Sequence, residues 1–83
     1  MQGNNDLSHL KGHFIEEITL ALRESESKQG HDIDYVKLND KILYSWKSAH
    51  TKGVDLNTFV DWISDAIPEH IGNLDIVKIK NAA

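Results

Sequence analysis

The amino-acid sequence predicts an all-α fold: a small bundle of three helices with a short fourth element or an extended C-terminal tail. Apolar residues recur at three- and four-residue steps over three separate stretches. An aspartate stands at or near the start of each, and glycine or proline follows its end. Short connectors favour antiparallel neighbours. The helices are expected over about 7–28, 33–51 and 56–67, followed by a tail over 68–83, all in one domain spanning 1–83. With 83 residues, 40% of them hydrophobic, a second core would leave neither half enough to bury.

The first stretch places Leu7, Leu10, Phe14, Ile18, Ala21 and Leu22 on one stripe. Asp6 is the expected N-cap, and Ser25, Lys28, Gln29 and Gly30 read as a fading end with glycine at C′. At about 22 residues, or roughly 33 Å, this helix is long for so small a domain, so one end is expected to project or to pack on another chain. Gly12 interrupts it at a cost of about 1 kcal/mol relative to alanine, and marks either close backbone approach, the favoured reading, or a soft first turn.

The second stretch starts at Asp32 or Asp34 and carries Tyr35, Leu38, Ile42, Trp46 and Ala49 on one face, widened by Val36 and Leu43. Lys47 and Lys52 suit the negative end of its dipole, and Gly53 offers the left-handed residue that stops it. The third stretch opens on Asp55, places Leu56, Phe59, Val60, Ile63, Ala66 and Ile67 at helical spacing, and closes at Pro68. Residues 69–73 read as a turn or a single helical turn. Then Leu74-Asp75-Ile76-Val77-Lys78-Ile79-Lys80, rich in β-branched side chains and outside the helical period, is expected to be extended. An unpaired strand is not stable alone, so this segment should lie on the bundle as an apolar tail or pair with another chain.

Composition excludes several functions. There is no cysteine, hence no disulfide framework, thiolate metal site or thiol nucleophile. Nine Lys plus Arg against 13 Asp plus Glu give a net charge of −4, which repels phosphate backbones overall. No apolar run approaches the roughly 18 residues of a membrane span, and the N-terminal residues lack a signal-peptide pattern, so the expectation is a soluble, cytoplasmic protein with no membrane partner. So short a chain buries only about 60–65% of the surface its unfolded form exposes, which makes a partner or a second copy a natural source of added stability.

Motifs for catalysis are absent. Ser48 and His50 are two apart, point to different sides of a helix and lack an oxyanion motif, while no glycine-rich phosphate loop occurs anywhere. Residues 48–59 have a glycine between two helices but lack the alternating Asp and Asn oxygens that calcium needs. His9, His13 and Glu17 are four apart on one helix face, the spacing of a two-histidine, one-carboxylate chelate. Such spacing arises often by chance and no fourth ligand accompanies it, so a solvated face with no resident metal or cofactor is expected. Glu16 and Glu17 read as that wet face, and His31, His50 and His70 as helix-end residues.

The leading expectation is a small non-catalytic regulatory or adaptor protein that works by binding another protein or a second copy of itself. It rests on two aromatics off the core stripes, Tyr44 and Trp62, and on the apolar tail residues Leu74, Ile76, Val77 and Ile79. Two alternatives are a nucleic-acid-associated regulator using Lys37, Lys41, Lys47, Lys52, Lys78 and Lys80 as a local patch, and a metal-binding helical protein using His9, His13 and Glu17. Against the first, Asp55, Asp61 and Asp65 stand on the third helix with no lysine or arginine.

Overall fold

The computed structural model describes residues 3–27 and 32–81, with side chains from residue 9 onward. It is an all-α bundle: α1 (Gly3–Glu24), α2 (Tyr35–Thr51), α3 (Leu56–Ala66), a 3-10 segment (Pro68–Asn73) and α4 (Ile76–Asn81). Among the described residues there is no β-strand, only an isolated antiparallel bridge between Glu26 and Ile33.

Helix α1 begins three residues ahead of Asp6, which therefore lies in its first turn rather than at the N-cap. An acid there also suits the positive end of the helix dipole, so the residue type alone does not separate the two positions. The helix ends at Glu24, four residues earlier than the periodicity suggests. Ser25 explains this: its hydroxyl donates to the Ala21 carbonyl at 2.7 Å, and its N–H is shared between Ala21 and Leu22 at 3.1 and 3.0 Å. The Ser25 carbonyl then accepts the Asp34 N–H at 2.9 Å, tying the end of α1 to the start of α2. Gly30, the expected C′ residue, lies outside the described residues.

Helix α2 is capped by Asp34, not Asp32: the Asp34 carboxylate accepts the Lys37 N–H at 3.1 Å. Its C-terminus is a Schellman motif. The Gly53 N–H bonds the His50 carbonyl and the Val54 N–H bonds the Ala49 carbonyl, both at 3.0 Å, with Gly53 at φ 93°. Buried Val54 and Ala49 supply the apolar contact that accompanies this cap. Helix α3 ends one residue before Ile67, which leaves the helical region at φ −139°, ψ 60° because Pro68 follows.

Glu17 meets Ser45 and Glu24 meets Lys41, so α1 and α2 run antiparallel. Lys11 reaches Asp65 while Phe14 meets Trp62 and Phe59, so α1 and α3 do too. Between the helices, Phe14, Ile18, Leu38, Ile42, Trp46, Phe59, Trp62 and Ile63 form the centre of one continuous core. Val36 is not part of it; it stands 74% exposed on the outer flank of α2. Gly12 is not a point of close approach either: a Cβ there would meet no atom within 4 Å.

The C-terminal segment corrects the expectation of an extended strand. The Asp75 carboxylate accepts the Lys78 N–H at 3.0 Å, capping α4, while the Asp75 N–H donates to Asn39 Oδ1 of α2 at 2.8 Å. Leu74 and Ile79 are buried, and Ile76 packs against the core's edge. Packing this turn on α2 outweighs the β preference of its isoleucines and valine, because it buries the apolar face without leaving backbone groups unpaired.

Candidate functional site

An open groove of about 540 Å³ runs between α1 and α2, lined by Glu17, Leu20, Ala21 and Glu24 from α1 and by Lys37, Asp40, Lys41, Tyr44 and Ser45 from α2. Leu20 and Tyr44 are apolar or aromatic side chains left in solvent at 46% and 79% exposure, facing the groove from opposite helices. Tyr44 is there because it falls off the 38–42–46–49 stripe that α2 turns inward. Leu20 lies likewise beside, not on, the 14–18–21 stripe of α1, and the sequence reading missed it. A signal was present: three residues before Leu20 stands Glu17 and four after it Glu24, so an apolar residue sits in a charged row away from the core.

The two walls differ in charge. The α1 wall presents Glu17 and Glu24, and the α2 wall Lys37 and Lys41. Lys41 Nζ reaches Glu24 Oε1 at 2.8 Å across the groove. That hydrogen bond and the Lys41 charge hold the Glu24 carboxyl below the usual carboxylate range against an opposing effect of burial, with a lesser lowering from the charge of Lys37. Asp40, the acid on the α2 wall, stands 4.0 Å from Lys78 of α4. At the floor, Ser45 donates to Glu17 Oε1 at 3.0 Å.

The other sequence-derived positions separate. Trp62, expected off the core stripe as an interaction residue, is 5% exposed, stacked against Phe14, and belongs to the core. Its displacement from the apparent stripe of α3 reflects how wide that buried face is, since both α1 and the 3-10 segment pack on so short a helix. Leu74 and Ile79 are covered by the chain itself and Ile76 half-covered, leaving only Val77 of the tail positions in solvent, at 68% exposure. His9, His13 and Glu17 do not form a chelate. His13 Nε2 lies 3.0 Å from Glu17 Oε2 while the other Glu17 oxygen takes the Ser45 hydroxyl, and among the described residues no three His, Asp or Glu side chains could hold a metal ion. Of the six lysines of the basic-patch reading, Lys41 and Lys78 are set against carboxylates and Lys37 faces Glu24, which dilutes the positive field.

The helix-end histidines differ in what they do. His50 packs edge-on to Trp46 at 5.3 Å, and His31 lies outside the described residues. His70 Nδ1 lies 2.9 Å from the Tyr35 hydroxyl, which also accepts from Asn73 Nδ2 at 3.2 Å. This cluster pins the 3-10 segment to the first turn of α2. Among the described residues no helix is long and apolar enough to cross a membrane. No family model, curated protein or solved structure matches the chain.

Proposed function

We propose that this chain is a non-catalytic regulatory or adaptor protein that works by binding another protein through the groove between α1 and α2. The observation that carries the reading is the placement of Tyr44 beside Leu20, both well exposed, on a groove whose two walls carry opposite charge. Tyrosine at such a place offers a large contact area at low entropic cost and a hydroxyl for one directional bond. The charged rim contributes to encounter and register more than to affinity. A non-catalytic role is supported by the use the fold makes of its hydroxyls. Thr19, Ser25 and Thr51 each donate to the carbonyl four residues earlier, at 2.8, 2.7 and 2.9 Å, and Ser45 is committed to Glu17.

The test is site-specific photocrosslinking in the native host. A benzoylphenylalanine at position 44 is expected to give covalent adducts with protein, whereas the same group at the exposed Asn57 of α3 gives none. Absence of adducts from position 44, or equal adducts from both positions, overturns the reading.

A further inference from the structure

We infer that the occupant of the α1/α2 groove is a second copy of this chain, placed by a two-fold axis parallel to the two helices. The inference rests on the protein-binding reading above and names its partner. An isologous interface needs a face complementary to itself, so one charge sign must lie on each side of the axis. This face meets that condition in net charge, with Glu17 and Glu24 on α1 against Lys37, Lys41 and one acid, Asp40, on α2. Rotation by a half-turn about an axis parallel to the helices lays each α1 over the other copy's α2 and keeps every residue at its own height.

The antiparallel pairing of α1 and α2 fixes those heights: Glu17 is level with Ser45, and Glu24 with Lys41. Glu24 of each copy therefore arrives over Lys37 and Lys41 of the other, and Leu20 arrives over Tyr44. Glu24 thus meets the lysines twice, once from each copy, Glu17 arrives over Ser45, and the two exposed apolar pairs close on each other at the centre. Walls that carried the same sign at one height would meet as like charges under the same rotation. Asp40, which departs from the pattern, lines the same wall and stands 4.0 Å from Lys78, whose charge offsets it. The product is a four-helix layer built from two antiparallel pairs, the packing that short amphipathic helices favour. It also offers a domain of 83 residues the additional buried surface that chains of this size often take from a second copy.

Sedimentation equilibrium of the purified chain is expected to give twice the single-chain mass of 9.4 kDa. Leu20→Glu and Tyr44→Glu are each expected to give the single-chain mass with unchanged helical circular dichroism, since both side chains are exposed in the monomer. Glu24→Lys alone, and Lys37→Glu with Lys41→Glu alone, are expected to be monomeric, while an equimolar mixture of the two regains the doubled mass. A purified wild-type chain that stays monomeric at every concentration overturns the second copy. So does a dimer that persists in both Leu20→Glu and Tyr44→Glu, or a charge-reversed mixture that does not associate. If the wild type is monomeric yet position 44 crosslinks to a different protein, the self-association falls and the protein-binding reading stands; if position 44 also gives no adduct, both fall.

Discussion

The ring of Trp62 lies nearly parallel to that of Phe14, with centroids 6.0 Å apart and planes 14° from each other, and this stack joins α3 to α1. Phe59 meets both rings edge-on and reaches Trp46 of α2 at 5.3 Å, so four aromatics from three helices form one connected centre. Aromatic pairs in such geometry add about 0.5–1.5 kcal/mol each beyond the area they bury. Trp62→Ala and Trp46→Ala should each cost about 3–5 kcal/mol, a large fraction of the stability of a domain this small. The expected result is loss of a cooperative thermal transition in both. A folded, cooperatively melting Trp62→Ala would show that the α1–α3 contact does not depend on this stack.

Gly12 leads to a substitution that should stabilise the protein. It lies inside α1, exposed, with open space where a Cβ would stand and an ordinary helical backbone. Nothing in the packing requires glycine there. Gly12→Ala should therefore raise the unfolding free energy by about 1 kcal/mol, through better helix propensity and a less flexible unfolded chain. Urea denaturation reads this directly, and no change or a loss would mean that the first half of α1 is not helical in solution.

Gly53 is the opposite case. Its φ of 93° belongs to the left-handed region, and the two hydrogen bonds that close α2 depend on it. Gly53→Ala should cost about 1–2 kcal/mol for placing a Cβ in that conformation. The same urea experiment that shows a gain at Gly12 should show a loss here, with no change in the dependence on denaturant.

These two glycines also show what the sequence could and could not reveal. The stop after α2 was legible because Gly53 follows a run of periodic residues with Lys47 and Lys52 near its end, a pattern with one physical meaning. Gly12 had two meanings, and only the surrounding atoms decide between them. The same holds at the candidate site. Tyr44 was legible as off-stripe because α2 is long enough to define its stripe well. Trp62 was misplaced because the 11 residues of α3 leave its buried width undetermined until its neighbours are known. The tail misled for a different reason. Residues 74–80 carry both a strand composition and, in Asp75, a helix cap, and the choice fell to a tertiary contact with Asn39 that no local pattern contains.

Glu24 offers a measurement of the groove's electrostatics. Lys41, by hydrogen bond and charge, and Lys37, by charge, favour its ionised form. A carboxyl held low in the folded state contributes stability above its unfolded pKa, and that contribution is lost as pH falls through the folded one. Lys41→Ala should therefore move the Glu24 titration midpoint upward, towards that of a free glutamate, when followed by carboxyl carbon NMR. An unmoved midpoint would place the Lys41 ammonium away from the groove.

Helix α4 is anchored to α2 and should behave as part of the bundle. Its turn is fixed by Asp75, which is capped onto Lys78 and held by Asn39, and its one fully buried side chain is Ile79. Ile79→Ala should cost about 2–5 kcal/mol, because the void it leaves lies under a single short helix against α2. Asn39→Ala should cost about 1 kcal/mol by removing the acceptor for the Asp75 N–H. Both losses should appear as a lower melting temperature in a protein whose association state is that of the wild type, since neither Ile79 nor Asn39 lines the groove between α1 and α2. Deleting residues 74–83 extends the same logic: it should lower the melting temperature further without removing the capacity to associate. If instead the deletion or Ile79→Ala left the melting temperature unmoved and changed the molar mass, the apolar face of residues 74–80 would be covered by another chain, and its packing on α2 would not be the contact that holds it.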